Sequence, residues 1–433
     1  MLPSLEVEFA GVRMRSPMGV SAMSPLQGGG ADGEKLAAQL MRIVSKGAGY
    51  VYTPVIFSFE EKEHPKDKPP TGRLFKIESG RGLLGFFSAG DEKYQSLRLN
   101  TALKAVRALK QKLPDKVPLV ADIMGPGADP KGWANFAKIF EEEGADLIEL
   151  DVSTACTAGL ETAVEQFSTG DYSSTHFEGV GPGGVLLGDD IPRTVAIAKE
   201  VVKNVSIPVG VKFTPETGYP RIIGFAKQLK EAGVKFVTSN NCFTTIAPPD
   251  IYNGGKPLYP FLDVNPITTT GGPWVRHALY RNIGTIALFV PGLDQAAVGG
   301  LTSPENIVEV IMLGANICET CSGILFKGFN FISTCVSFLE SYMNKCKYDS
   351  VDDFRGLGLK YVKPLEDVDW HVGDIAAYID PDKCTGCSIC YENHCYAISM
   401  DKGKARVNPE ECTGCGVCLM ACPSGAIEIR RIK

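Results

Sequence analysis

The sequence has no block of lysine and arginine residues and no apolar run long enough to cross a membrane. Its net charge is −6, which gives no electrostatic footprint for nucleic acid or for an anionic membrane surface. The longest apolar runs, such as IGTIALFV at 283–290, stop at a proline, well short of the roughly 20 residues that a membrane helix needs. These absences argue against nucleic-acid and membrane partners and predict a soluble protein.

A secretory signal is also missing from the start of the chain. The first residues, MLPSLEVEF, carry acids where a signal peptide has a basic segment followed by an apolar one. Fourteen cysteines without such a signal indicate a reducing compartment, and metal or redox chemistry instead of disulfides. We therefore expect a cytoplasmic protein. Eight of the cysteines fall between positions 384 and 422, which points to a separate C-terminal unit.

One recurring pattern organises the first part of the chain: a helix-like stretch ends on glycine and runs directly into an apolar strand. It occurs in KGAGYVYT (46–53), EGADLIELD (143–151), EAGVKFVTSN (231–240) and LGANICETC (313–321). Further strand candidates between them are PMGVSA, VPLVADI, IPVGVKF and DQAAVGG. Glycine ends helices in the left-handed conformation, and continuous apolar runs suit strands buried on both faces. Eight strands alternating with helices predict an α/β fold of the TIM (β/α)8 barrel type, with a doubly wound sheet as the alternative.

The expected domain boundaries follow from this pattern. The barrel is expected over residues 1–345, a polar connecting segment over 346–375, and a small α+β domain over 376–433. The segment GRGLLG at 80–85 has the spacing of a dinucleotide-binding turn, but no capped helix opens on it and no acid follows about 20 residues on. A nicotinamide site is therefore not expected in this chain.

The C-terminal segment repeats a cysteine pattern. DKCTGCSIC at 382–390 returns as EECTGCGVC at 410–418. The second copy continues into the C-x2-C-x2-C-x3-C-P run of bacterial ferredoxins, in which the fourth cysteine of each run ligates the other cluster. The first predicted 4Fe-4S set is Cys384, Cys387, Cys390 and Cys422, and the second is Cys412, Cys415, Cys418 and Cys395. Zinc is the alternative metal for CxxC pairs.

The first cysteine run departs from the regular spacing at its end. His394 stands where the fourth cysteine would fall, and Cys395 comes one residue later. A lengthened loop only extends the path to the second cluster, whereas a histidine ligand would change the cluster charge and raise its potential. We expect Cys395 to be the ligand and His394 to be a neighbour.

The barrel motifs carry a family resemblance. The order ELDVS (149–153), VKFTP (211–215), VTSNN (237–241), TTTGG (268–272), VGGLTSPE (298–305) and ETCSG (319–323) resembles the flavin-binding barrel of dihydroorotate and dihydropyrimidine dehydrogenases. The fused cysteine unit makes the dihydropyrimidine branch more similar. The resemblance implies an FMN cofactor at the C-terminal face of the barrel and an oxidoreductase acting on CH–CH groups.

The resemblance also implies roles for individual residues. Lys212 would face the N1 and O2 edge of the flavin, where positive charge stabilises the reduced anion. Asn241, and Asn240 beside it, would hydrogen-bond the substrate, and Asp151 would lie beside the cofactor. The implied close-approach and phosphate positions are Gly271, Gly272, Gly299, Gly300, Cys321 and Ser322. Glycines and backbone N–H groups at the seventh and eighth strands are where barrel enzymes bind phosphate.

The catalytic acid of such enzymes is a cysteine or serine on the loop after the fourth strand. Here Thr154 stands at the matching position, so Cys156 is the first candidate, followed by Ser153 and His176. A thiol can act as the acid if its neighbours adjust its pKa. The expected electron donor is a partner flavoprotein subunit or a ferredoxin, and the chain could form homo- or hetero-oligomers.

Two departures from the family pattern keep other functions open. Pro54 follows Thr53 where the family has a lysine, and Asp151 replaces an asparagine, so an acceptor-only group stands where an amide could donate. One alternative is the same chemistry on a non-pyrimidine ring or an enoate. The other is a flavin-free electron-relay or scaffold subunit of a larger redox complex.

Overall fold

The computed structural model describes residues 3–22, 32–58, 73–79, 82–89, 97, 99–152, 185–258, 267–368, 375–393 and 395–432. The chain divides into two compact units, Met1–Tyr361 and Val362–Lys433. Residues that follow the long helix Asn330–Cys346 belong to the first unit, where Ser350 forms a β-bridge with Ser4 near the N-terminus. Among the described residues, no helix is both long and apolar enough to cross a membrane.

Nineteen strands are assigned along the described chain. They are β1 (Val7–Phe9), β2 (Val12–Met14), β3 (Met18–Val20), β4 (Val51–Tyr52), β5 (Ile56–Phe57), β6 (Arg73–Ser79), β7 (Gly82–Ala89), β8 (Leu119–Met124), β9 (Leu147–Asp151), β10 (Val209–Lys212), β11 (Phe236–Ser239), β12 (Phe243–Ile246), β13 (Ile267–Gly271), β14 (Asp294–Val298), β15 (Ile317–Thr320), β16 (Ile375–Ile379), β17 (Ile398–Asp401), β18 (Lys404–Val407) and β19 (Ile427–Arg431).

Helices fill the intervals between the strands. The α-helices are Gly33–Val44, Leu99–Lys110, Pro130–Glu142, Val185–Asp189, Ile191–Asn204, Arg221–Glu231, Arg276–Phe289, Pro304–Met312, Ser322–Lys327, Asn330–Cys346, Ile389–Glu392 and Val417–Ala421. Short 3-10 turns cover Pro273–Val275, Val351–Asp353, Leu359–Tyr361 and Leu365–Asp367. The helix Pro130–Glu142 illustrates why these segments are helical. Asp129 caps its first turn, and Trp133, Phe136 and Phe140 are buried on one face. Each such buried aromatic side chain contributes about 1.5–3 kcal/mol.

Eight parallel strands form a nearly closed barrel, as the sequence pattern predicts. Their order around the sheet is β3-β15-β14-β11-β10-β9-β8-β4, and β3 and β4 approach each other at the remaining gap. All eight predicted strand segments are present, and this order contradicts the doubly wound alternative. The four glycines predicted to end helices have positive φ angles of 94° to 107°, which confirms their left-handed conformation: Gly47, Gly144, Gly233 and Gly314.

A four-stranded antiparallel sheet adds to the barrel, in the order β12-β13-β7-β6. Its strands follow the second and the sixth barrel strands in the sequence, so both insertions leave the barrel at the carboxyl ends of its strands. The described part of the GRGLLG segment lies in strand β7. Loops at this end of a barrel build the active site in barrel enzymes.

The second unit contains two small antiparallel sheets, β16–β19 and β17–β18, and two one-turn helices. Its sequence repeat is also a structural repeat: Ser388 and Gly416 both precede a short helix with left-handed φ angles of 61° and 80°. The buried core is small, and it includes Cys390 and Cys418 together with Ala377, Ile398, Ala405 and Ile427. A core this small normally needs a bound metal or a covalent cross-link for stability.

Candidate functional site

The first predicted cysteine set surrounds a small cavity in the second unit. Cys384, Cys387, Cys390 and Cys422 all line it, although Cys422 is 32 positions away from Cys390 in the sequence. Burial raises the pKa of the Cys390 thiol, and the nearby Cys387 and Cys384 raise it further. The fold therefore places the fourth cysteine of the second run with the first three cysteines of the first run.

The second predicted set is brought together in the same way. Burial raises the pKa of Cys418, and the neighbouring thiols of Cys412, Cys415 and Cys395 add to this effect. Cys395 thus lies with the second triplet, as the crossed assignment predicts. His394 lies outside the described residues. Four cysteine sulfurs around one cavity are the ligand set of a 4Fe-4S cluster.

Backbone N–H groups point at the sulfur atoms. The amides of Ala377 and Gly414 donate to Cys412 Sγ at 3.3 and 3.5 Å, and the amide of Ala426 donates to Cys422 Sγ at 3.3 Å. Such donors stabilise thiolates, and in cluster proteins they raise the reduction potential. Cys412 and Cys422 both come from the second run but belong to different predicted sets, so each set has at least one such contact.

In the first unit, the barrel interior is polar where barrels usually hold branched aliphatic side chains. Strands β8, β9 and β10 contribute Asp122, Glu149, Asp151 and Lys212, whose side chains are between 0 and 5% exposed. Lys212 Nζ lies 3.0 Å from Asp122 Oδ2, 3.3 Å from Asp151 Oδ2 and 3.7 Å from Glu149 Oε1. We call Lys212 and these three acids the lysine cage.

A second polar group adjoins the lysine cage. The Tyr52 hydroxyl donates to Glu149 Oε2 at 3.1 Å, and the Thr238 hydroxyl donates to the same oxygen. Glu319, on β15, is fully buried, and neither of its carboxyl oxygens has a hydrogen-bond partner among the described residues. These four side chains come from alternate barrel strands, β4, β9, β11 and β15, which is how a barrel builds one interior layer.

Burial controls the protonation of these acids. It raises the pKa of Glu149 and that of Glu319 to about 7 in each case, against the opposing charge of Lys212. It also raises the pKa of Asp122 well above its ordinary range. Burial disfavours charge on Lys212 as well, but the facing carboxylates outweigh it and raise its pKa. The lysine therefore stays charged, while part of the surrounding acid set holds protons near neutral pH.

Two buried donors at the end of β11 lack partners among the described residues. Asn240 accepts a hydrogen bond from Asn282 Nδ2 at 2.7 Å through its Oδ1, and this fixes the amide so that its Nδ2 points elsewhere. Neither Asn240 Nδ2 nor the Ser239 hydroxyl has a partner within the described chain. Buried donors of this kind normally bind something. The neighbouring Asn241 instead accepts the backbone N–H of Cys242 at 2.8 Å.

The predicted glycine positions lie on two loops that touch. Gly300 has φ +70°, and a Cβ on it would come within 2.4 Å of the carbonyl oxygen of Gly272. Gly271 accepts a hydrogen bond from the Trp274 indole. Cys321 and Ser322 follow β15, at the first turn of the helix Ser322–Lys327. The loops with Gly299, Gly300, Cys321 and Ser322 leave the carboxyl ends of barrel strands, where the resemblance places the phosphate. Gly271 ends strand β13 of the antiparallel sheet, and Gly272 follows it.

Some predicted residues cannot be placed, and some important ones were not predicted. Ser153, Thr154, Cys156 and His176 lie outside the described residues. The roles of Lys212, Asp151, Asn240 and Asn241 remain predictions. Sequence reasoning missed Asp122, Glu149, Glu319 and Cys242. The available signal was an ionisable residue inside an apolar strand, as in LVADIM and ICET, because acids are rarely buried without a partner.

Comparisons with known proteins agree with this architecture. A 4Fe-4S binding domain family matches residues 405–428. The NAD-dependent dihydropyrimidine dehydrogenase subunit PreA of Escherichia coli K12 is 26% identical over 327 residues, which cover 74% of this chain and 71% of the relative. The chloroplastic dihydropyrimidine dehydrogenase (NADP(+)) of Arabidopsis thaliana is 23% identical over 271 residues, 61% of this chain and 57% of the relative.

A third relative belongs to the dihydroorotate branch. The catalytic subunit of dihydroorotate dehydrogenase B (NAD(+)) from Pyrococcus furiosus is 25% identical over 244 residues, which cover 54% of this chain and 76% of the relative. The resemblance expected from the sequence motifs is therefore confirmed, together with 4Fe-4S binding by the C-terminal unit and the oxidoreductase class. Two of these relatives are named as subunits.

Proposed function

We propose that this chain is an iron–sulfur flavoprotein that transfers two electrons to or from a carbonyl-conjugated C=C bond in a small cyclic substrate. Its barrel binds FMN, and its C-terminal unit binds two 4Fe-4S clusters. The observation that carries this proposal is the coexistence, in one chain, of two crossed sets of four cysteines and a polar barrel interior centred on Lys212. The similarity to dihydropyrimidine and dihydroorotate dehydrogenases supports it.

The described residues fit an FMN molecule in their donor chemistry. The partnerless Asn240 Nδ2 and Ser239 hydroxyl are buried donors at the end of β11, suited to the carbonyl and nitrogen acceptors of a flavin ring. Gly272 and Gly300 leave no side chain between their two loops, and Ser322 offers a hydroxyl after the eighth barrel strand. These residues would hold the cofactor, and Lys212 would supply positive charge beside its N1 and O2 edge.

FMN, when bound, exchanges hydride with a substrate and single electrons with clusters, a conversion that the iron–sulfur clusters cannot perform themselves. The chain's own residues provide the surroundings. Lys212 and its buried acids form a layer of side chains shielded from water, where charges interact strongly. The orientation of the Asn240 amide is fixed by Asn282, so its free N–H is ready for an acceptor without loss of side-chain entropy.

Proton exchange with the substrate needs a separate group. Cys156 is our first candidate and Ser153 the second, on the loop after β9. Cys242 is a further thiol beside Lys212, and burial raises its pKa to about 11, so it keeps its proton at neutral pH. A neutral thiol can donate a proton but is a poor nucleophile, which is consistent with acid catalysis in this part of the barrel.

Electrons would enter through the two cysteine sets one at a time. A flavoprotein subunit or a ferredoxin is the proposed donor. The pyrimidine ring is the substrate that the relatives' names suggest, and a non-pyrimidine ring or an enoate remains the alternative because Pro54 and Asp151 depart from the family pattern. A flavin-free relay subunit is the second candidate, favoured by one observation: Lys212 is already held by three carboxylates.

The test is a single-turnover experiment on anaerobic protein supplied with FMN. The flavin is reduced photochemically, and uracil, thymine and orotate are added separately while the flavin absorbance is followed. Reoxidation by one of these compounds, with formation of its dihydro product, is the expected result. Reoxidation only by a non-pyrimidine enone would shift the substrate class. Protein that binds no flavin under any condition would contradict the proposal in favour of the relay subunit.

A further inference from the structure

The Lys212 ammonium is ringed by acids in the described structure, and it donates a hydrogen bond to one of them, Asp122. A lysine ammonium has three N–H donors, and three carboxylates face Lys212 Nζ at 3.0, 3.3 and 3.7 Å. The proposed flavin role asks the same ammonium to face a ligand. A ligand that draws the ammonium toward itself loosens these ion-pair contacts with Asp122, Asp151 and Glu149.

The acids cannot be left behind as free carboxylates. All three are fully buried, and an isolated ionised carboxylate in a dry interior is so costly that it takes up a proton instead. Glu319 adds a fourth buried carboxyl group within reach of the same layer. The other titratable groups that face this layer are weak acids and bring no compensating positive charge: Tyr50, Tyr52, Cys242 and Cys321.

The layer offers two places for protons beside the lysine cage. The Tyr52 hydroxyl donates to Glu149, which in turn lies beside Lys212. Glu319 is fully buried, and neither of its carboxyl oxygens has a hydrogen-bond partner among the described residues. A buried carboxyl group without a donor to stabilise its charge binds a proton readily.

We propose that FMN binding to this barrel is coupled to proton uptake: the ligand draws Lys212 out of the lysine cage, and protons from solvent neutralise the carboxylates that it leaves. This inference rests on the proposed function. Since protons are taken up on binding, FMN binds more tightly at low pH. The pKa values of Glu149 and Glu319 are raised to about 7 in the free protein. Below about pH 6 the affected acids already hold protons, so they add no further pH dependence to the affinity.

The expected size of the effect follows from linkage. For each proton taken up, Kd rises about tenfold per pH unit above about pH 7. Isothermal titration of the flavin-depleted, cluster-containing protein with FMN measures this directly. Titrations at pH 8 in phosphate and in Tris, which differ in ionisation enthalpy, give the number of protons taken up, and a series from pH 5.5 to 8.5 gives the slope of Kd.

A pair of variants localises the effect. Asp151→Asn removes one acid of the lysine cage and keeps the shape of the side chain, so it is expected to lower the proton uptake and to tighten FMN binding about tenfold at pH 8. Asp294→Asn is the matched control, because Asp294 is a partly buried acid at the opposite end of the barrel, bonded to Ala10 and Asn316. The control is expected to bind FMN with the wild-type slope.

The outcomes separate this inference from the proposed function. FMN binding with the same Kd at all pH values, and the same enthalpy in both buffers, would overturn the inference while leaving the flavoprotein proposal standing. Equal slopes in wild type and Asp151→Asn would remove the lysine cage as the source of the coupling. No FMN binding at any pH would overturn both. The buffer comparison on wild-type protein does not depend on whether the variant folds.

Discussion

Replacing Glu319 with glutamine tests whether a buried acid of the barrel interior is protonated near neutral pH. Glu319 is fully buried, and burial raises its pKa from an ordinary 4.5 to about 7. The folded protein therefore binds a proton at this site more tightly than the unfolded chain does. Its stability falls as the pH rises from about 4.5 to about 7, and the loss is complete above that range.

The size of this loss can be worked out from the pKa difference. At about 1.4 kcal/mol per pKa unit, ionised Glu319 costs the folded state about 3 kcal/mol above pH 7. Glutamine resembles the protonated acid in shape and charge, so Glu319→Gln is expected to match wild type near pH 4.5 and to gain about 3 kcal/mol at pH 8. For a unit of this size, that gain corresponds to an increase of about 4 °C in Tm.

The assay is thermal unfolding of anaerobic, cluster-containing protein, followed by tryptophan fluorescence at several pH values. Glu142→Gln is the control, because Glu142 is exposed at the end of the helix Pro130–Glu142, and no pH-dependent change is expected for it. A Glu319→Gln protein that is equally stable relative to wild type at pH 5 and pH 8, or that loses stability at pH 8, would refute the proposed protonation of this layer.

The remaining predictions concern the cofactor loops and the cysteine sets. Gly300→Ala is expected to lower the free energy of unfolding by about 1–3 kcal/mol and to weaken FMN binding, because the new Cβ would collide with the facing loop and the φ angle is +70°. Gly254→Ala is the control, since Gly254 has a similar φ of +63° but open space around it. Calorimetry should show unchanged FMN affinity for this control. Cys395→Ala and Cys422→Ala should each lower the iron content by about four atoms per chain, and Cys346→Ala should not. Full iron content in the Cys395→Ala protein would contradict the assignment of that ligand.

The fold could be predicted because its signals are local. Four of the eight barrel strands follow a helix that ends on glycine, and the conformation of Gly47, Gly144, Gly233 and Gly314 depends mainly on neighbouring residues. The cysteine spacing is also a local signal, because each run is only a few residues long. The repeat of the run predicts that Cys422 joins the cysteines of the first run. The antiparallel sheet of β6, β7, β12 and β13 was not predicted, because its partners are about 180 residues apart in the sequence.

The chemistry of the barrel interior could be predicted only in part. Lys212 stands out within VKFTP, but its contacts with Asp122 and Glu149 depend on strand order and on the level of each side chain along the barrel axis. The same limit applies to Asn240 and Asn241. Asn282, on a helix about 40 residues later, donates to the Oδ1 of Asn240 and so orients its amide. The Nδ2 of Asn240 is then left without a partner among the described residues.

The most direct test of the central claim is the cofactor content of anaerobically purified protein. Iron and sulfide are measured per chain, and acid-released flavin is identified by chromatography. The account predicts about eight irons and one FMN per chain, or the same FMN content after incubation with FMN below pH 7. Iron at this level with no flavin retained, even after that incubation, would contradict the flavoprotein account and leave an electron-relay subunit.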